Sequence, residues 1–89
     1  MDEEKPVPIR VKVLYFGQAR DAVGASSEDV TLPSASSVRT LIHESNKAHA
    51  KLVPVSGAIR VAVNEEVADE DDSLADGDVV AFLPPVAGG

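Results

Sequence analysis

The sequence finishes Pro84-Pro85-Val86-Ala87-Gly88-Gly89, six residues without a charged side chain in a protein whose composition is 26% charged. Glycines lack Cβ, so such a pair can lie close against another protein's surface and adopt angles that other residues resist. Two prolines ahead of it direct the chain stiffly away from what precedes them. A segment that must enter a narrow slot has reason to exclude charge, because a buried unpaired charge is strongly destabilising. Pro85, Val86, Ala87 and Gly88 would thread such a slot, and the group left to react is the carboxylate of Gly89. A carboxylate is a poor electrophile until it is activated, for instance as an acyl-adenylate, after which a nucleophile can take the acyl group. On this reading the protein is itself the carried substrate. A flexible end would hold the same two glycines, so the pair by itself decides little.

Conventional catalytic sets are missing. His43 and His49 are the two histidines, and neither has a partner at metal-ligand spacing, so both are expected as solvated residues on the polar flank of a helix. Serines cluster at Ser26-Ser27 and at Ser34, Ser36 and Ser37 without a nucleophile elbow, which leaves them loop and helix-cap roles. Neither a phosphate-binding loop nor a dinucleotide fingerprint occurs. The acidic run from Asp69 fails as a calcium loop, because Leu74 and Val80 stand where a glycine and a glutamate are needed. No metal site is expected, and with no cysteine there is neither a disulfide nor a thiol nucleophile.

The elements that must carry the tail can be read from periodicity. Residues 9–16 alternate, with Ile9, Val11, Val13 and Tyr15 on one face and Arg10, Lys12, Leu14 and Phe16 on the other, which predicts a strand with one face on a core. Residues 18–23 could form a short helical turn between Gly17 and Gly24, and residues 28–32 a second strand ended by Pro33. Ser34 to Ser37 supply N-cap candidates for a helix of about three turns, with Val38, Leu41, Ile42, Ala48 and Leu52 near helical spacing and Ser45 interrupting the stripe. Pro54 and Gly57 are expected to close that region. Residues 59–63 form a third strand, apolar on both faces and so expected at the centre of the sheet; residues 67–68 add a short one. The last strand spans residues 79–83 and ends at Pro84-Pro85.

That order, β-β-α-β-(β)-β, describes an α+β fold: a mixed sheet of four to five strands packed on one main helix, with the strand after the helix beside the first. This is the β-grasp arrangement of ubiquitin. The domain is expected over residues 9–83, preceded by a flexible acidic extension at 1–8 and followed by the functional tail at 84–89.

Composition bounds the class. At 89 residues the chain makes one domain, and with one Tyr, two Phe and no Trp its core must be aliphatic. Fifteen acidic residues against eight basic ones give a net charge of −7, which opposes nucleic acid and anionic lipid as partners. No apolar run approaches the ~20 residues of a membrane span, and no secretory leader is recognisable, so a soluble cytoplasmic protein is expected.

Several stretches then resemble a known family. Val11-Lys-Val-Leu-Tyr-Phe-Gly-Gln-Ala-Arg20, Ala62-Val-Asn64, Leu74-Ala-Asp-Gly-Asp-Val-Val-Ala-Phe82 and the final Pro-Pro-Val-Ala-Gly-Gly resemble the small, sulfur-carrier subunits of molybdopterin synthase. The likeness runs from about Val11 to Gly89, and the ending is its most specific part. It departs at the extension over residues 1–8 and at residues 46–57.

The resemblance implies a mechanism. An enzyme similar to the ubiquitin-activating enzyme would adenylate Gly89 with ATP, and a sulfurtransferase would supply sulfur for a thiocarboxylate. The tail, with Gly88 at the slot entry, would then insert into the large subunit of a heterotetramer and sulfurate cyclic pyranopterin monophosphate. Catalytic residues would sit on that large subunit, leaving this chain as the sulfur-donating half with no permanently bound cofactor. The family's apolar docking patch maps to Phe16, Val67 and Leu83, with Arg20 beside it. Alternation supports Phe16 and Leu83 independently, since they lie opposite Tyr15 and Phe82. Three alternatives share the fold: a modifier conjugated through Gly89, a carrier for thiamine thiazole synthesis, and an interaction domain with an inert terminus.

Overall fold

The computed structural model describes residues 7–84 of the chain. The lead-in over residues 1–6 and the tail residues Pro85, Val86, Ala87, Gly88 and Gly89 lie outside the described residues. The elements are β1 (Ile9–Tyr15), α1 (Gly17–Val23), β2 (Ser27–Leu32), α2 (Val38–Ala48), α3 (Val53–Ser56), β3 (Arg60–Val63), β4 (Glu66–Val67) and β5 (Val79–Leu83), with a 3-10 turn at Ala50–Leu52 before α3. The five strands form one mixed sheet in the order β2-β1-β5-β3-β4. Among them the β1–β5 pair is parallel and the other pairs are antiparallel.

The first strand forms as its alternation requires: Ile9, Val11, Val13 and Tyr15 are buried, while Arg10 and Lys12 are exposed. These side chains meet Leu32, Val38, Leu41, Leu52, Val61, Leu74, Val80 and Phe82 in a single core beneath the helices. As expected from the scarcity of rings, the core is mainly aliphatic; Tyr15 and Phe82 sit edge to face at its upper end, 5.6 Å between centroids. Helix α2 starts at Ser37, whose Oγ accepts from the Thr40 amide at 3.3 Å.

Three expectations change. The strand after the helix does not pair beside the first and is not central; β5 takes that place, with β1 on one side and β3 on the other. Residues 79–83 are apolar at all five positions, whereas β3 carries Arg60, so the uncharged run takes the middle place, flanked by a strand on each side. Pro54 opens a helical turn instead of closing one, because its missing N–H costs nothing in the first turn of α3. Leu52 is buried as the stripe implied, yet α2 stops at His49, which takes extended angles (φ −131°), and the 3-10 turn delivers Leu52 to the core.

Candidate functional site

The tail's root is built where β1 and β5 end side by side. Tyr15 pairs with Phe82 in parallel register, and the Phe16 amide donates to the Phe82 carbonyl at 3.3 Å. The chain then turns at Gly17, which has φ +52°, and Pro84 packs against that glycine. A Cβ at position 17 would stand 2.7 Å from Pro84 Cγ, so the absence of a side chain here is what lets the strand's exit lie flat on the β1–α1 corner.

The sheet face turned away from the helices carries a groove of about 600 Å³ beside this exit. Leu14, Phe16, Ala62, Val79, Ala81 and Leu83 form its apolar surface, and Asn64 and Glu65 stand at its edge. Phe16 is 44% exposed and Val79 37%, so large apolar surface faces outward. Register explains the cluster: Ala62 sits opposite Ala81, and Leu14 opposite the same residue from the other side. Exposed Lys12 and Arg60 flank the strip, paired in register with Val79 and Leu83.

A tight two-residue turn holds the groove's far wall. Asn64 and Glu65 both have positive φ (52° and 75°), the angles of a type I′ hairpin connection between β3 and β4. Asn64 fastens this turn to the start of β5: its Oδ1 accepts from the Val79 amide at 3.0 Å, and its Nδ2 donates to Asp78 Oδ1 at 3.0 Å.

Of the residues singled out from sequence, Phe16 and Leu83 come together in the groove. Val67 pairs with Ala62 and so shares the outward face, but at 72% exposure it stands on the β4 edge outside the groove. Arg20 is exposed on α1 and is not among the residues that line the groove. Leu14, Ala62, Val79 and Ala81 were missed as lining, although Leu14 shares parity with Phe16, and Val79 and Ala81 share it with Leu83.

The expectation for His49 is corrected. It is half-buried, and its Nε2 lies 2.8 Å from Glu28 Oε1, which also accepts from the Tyr15 hydroxyl at 2.8 Å. Period alone placed His49 on a polar flank; the extended residue that ends α2 turns it back onto β2. His43 is exposed as expected. Tyr15 is buried, and burial together with the Glu28 carboxylate pushes its phenol well above the usual range, so the hydroxyl stays protonated as the donor to Glu28. Among the described residues no cluster of His, Asp or Glu could hold a metal ion, and no helix is long and apolar enough to cross a membrane. The site is an apolar surface groove beside the exit of the last strand.

Residues 13–89 match the ThiS family. A molybdopterin synthase sulfur carrier subunit from Mycobacterium tuberculosis is 37% identical over 82 residues, covering 91% of this chain and 99% of that protein. Among solved structures, SAMP1 from Haloferax volcanii has a TM-score of 0.81 at 26% identity, over 90% of this chain and 99% of its own. Subunits 1 and 2 of the molybdopterin-converting factor from Helicobacter pylori were solved as a complex, and the matching chain there has a TM-score of 0.66 at 27% identity, over 91% of this chain and 100% of its own. These likenesses extend across the β-grasp sheet and are too broad to come from the terminal glycines. The chain belongs to the ThiS family, and the molybdopterin synthase sulfur carrier subunits are its relatives within it.

Proposed function

We propose that this protein is the sulfur carrier of a molybdopterin synthase in molybdenum cofactor biosynthesis, working in the cytoplasm. The observation that carries the reading is the family match that runs through Gly88 and Gly89, on a domain whose last strand leaves beside an exposed apolar groove. An activating enzyme joins the Gly89 carboxylate to the α-phosphate of ATP and releases pyrophosphate. A persulfide on a sulfurtransferase then displaces AMP to form an acyl disulfide, and a second thiol cleaves its S–S bond, leaving the thiocarboxylate and a disulfide. The groove of Phe16 and Leu83 docks on the large subunit, and Pro85, Val86, Ala87 and Gly88 pass into its active site. There the thiocarboxylate sulfur bonds to a carbon of cyclic pyranopterin monophosphate, and water then cleaves the acyl–sulfur bond, returning Gly89 as a carboxylate. The complex solved for the Helicobacter pylori proteins supports a large-subunit partner, and a heterotetramer is the assembly we propose.

The likeness to SAMP1, a small archaeal modifier protein, favours one second reading: conjugation of Gly89 to lysines of other proteins. One experiment separates the two. The full chain is incubated with ATP, the activating enzyme and a sulfur source, then weighed intact and offered to the large subunit with the pterin precursor. An oxygen-to-sulfur mass gain and conversion of the precursor are expected, and both should vanish when Gly89 is deleted. No mass gain, or sulfur transfer by the shortened chain, overturns the proposal; covalent adducts on other proteins without pterin conversion support the modifier.

A further inference from the structure

β2 is an edge strand, with β1 on one side and no strand on the other among the described residues. Its free side can be read from the direction of the β1 amides. Tyr15 N–H donates toward β2, to Ser26 at 2.9 Å, while Lys12 and Phe16 donate toward β5, to Asp78 and Phe82. Backbone direction alternates along a strand, so Val11 and Val13 also turn to β2, where they face Val30 and Glu28. The N–H and C=O groups of Ser27, Asp29 and Thr31 therefore point outward, and no hydrogen bond to another described residue occupies them.

Between this edge and α2 runs a groove of about 260 Å³. Val30 and Ala48 give it an apolar floor, and Glu28 and Glu44 wall it, while Asp29, opposite Lys12 on β1, belongs to the other face of the sheet. Lys47 lies 3.8 Å from Glu44, and the His49 ring lies 2.8 Å from Glu28. The buried Ser45 hydroxyl, on the helix side of the groove, has no hydrogen-bond partner among the described residues.

We propose that the β2 edge accepts an extended basic peptide of another protein as a sixth strand. The peptide's backbone would pair with Ser27, Asp29 and Thr31, and its alternate lysine or arginine side chains on the helix side would meet Glu28 and Glu44. Charge selects this occupant. A second copy of the chain, pairing β2 against β2 about Asp29, would set that acid across from the same acid of its partner, a like-charge contact that destabilises strand pairing. A basic strand meets Glu28 and Glu44 with opposite charge, in a molecule of net charge −7. The edge is separate from the groove of Phe16 and Leu83, which lies over β1, β5 and β3, so the inference does not rest on the proposed sulfur chemistry.

The test is an amide NMR titration of the full chain with acetyl-Lys-Val-Lys-Ala-Arg-Val-Lys-amide. Shifts are expected over residues 27–32 and 44–49, with slowed hydrogen exchange at Ser27, Asp29 and Thr31. The same peptide methylated on alternate backbone nitrogens keeps its charge but cannot pair, and should bind about tenfold or more weaker. Thr31→Pro, which removes an outward N–H, should weaken the parent peptide by about fivefold to tenfold while Val11 and Val13 stay protected from exchange. Glu44→Lys should weaken binding as well, without disturbing the edge. Absence of saturable shifts, equal binding of the methylated peptide, shifts confined to the Phe16–Leu83 groove, or edge-to-edge dimers of the chain would each overturn the proposal.

Discussion

Leu83 and Val67 face the same way but differ in what surrounds them, which sets different costs for changing them. Leu83 lines the groove beside Phe16. Leu83→Asp should weaken binding of the large subunit by more than about 1 kcal/mol in a calorimetric titration. Val67, mostly exposed on the two-residue β4, should tolerate Val67→Ala within about 0.5 kcal/mol in the same assay. Tyr15 makes a pH prediction. Its folded-state pKa lies above the ordinary value near 10, through burial first and the Glu28 carboxylate second. The stability it adds is complete below about pH 10 and is lost as pH rises toward the folded pKa, at about 1.4 kcal/mol per pH unit. Tyr15→Phe should cost about 1 kcal/mol at neutral pH, yet flatten that alkaline loss in urea titrations repeated at about pH 11. Residue parity exposed Phe16 and Leu83 in the sequence; the Tyr15–Glu28–His49 contact was hidden, because it depends on where α2 stops.

Each element adds a term of its own. Ser37 caps α2 through a single long hydrogen bond, so Ser37→Ala should destabilise the domain by about 1 kcal/mol and lower Tm by a few degrees. The β1–α1 corner is less forgiving. Gly17→Val combines a β-branched residue at φ +52° with a Cβ pressed on Pro84, and should lose about 2 kcal/mol or more in thermal or urea unfolding. Strands β1 and β5 were readable because each alternates or runs apolar over its whole length, and α2 because its serines and its stripe agree. The place of each strand was not readable. Residues 59–63 and 79–83 are both short and apolar, and which of them lies next to β1 depends on pairing between distant stretches of chain. The turn into α3 was hidden for a related reason: a proline ends one helix and begins another with equal ease.

Across the molecule, stability and reactivity are kept apart. Every residue of the described core lies between Ile9 and Phe82, so a chain lacking Gly89 should melt close to the parent's temperature even though it donates no sulfur. Scanning calorimetry beside the mass assay checks both halves of that statement. The parallel pairing of β1 with β5 has one further consequence. A pull on the outgoing end of β5, resisted at the incoming end of β1, runs along both strands in opposite senses. Every bond of that ladder is then loaded in shear at once, whereas an antiparallel hairpin pulled by its ends would lose its bonds in succession, like a zip. A pull on the end of β5 against an anchor at the start of β1 therefore meets the whole ladder at once rather than one bond at a time.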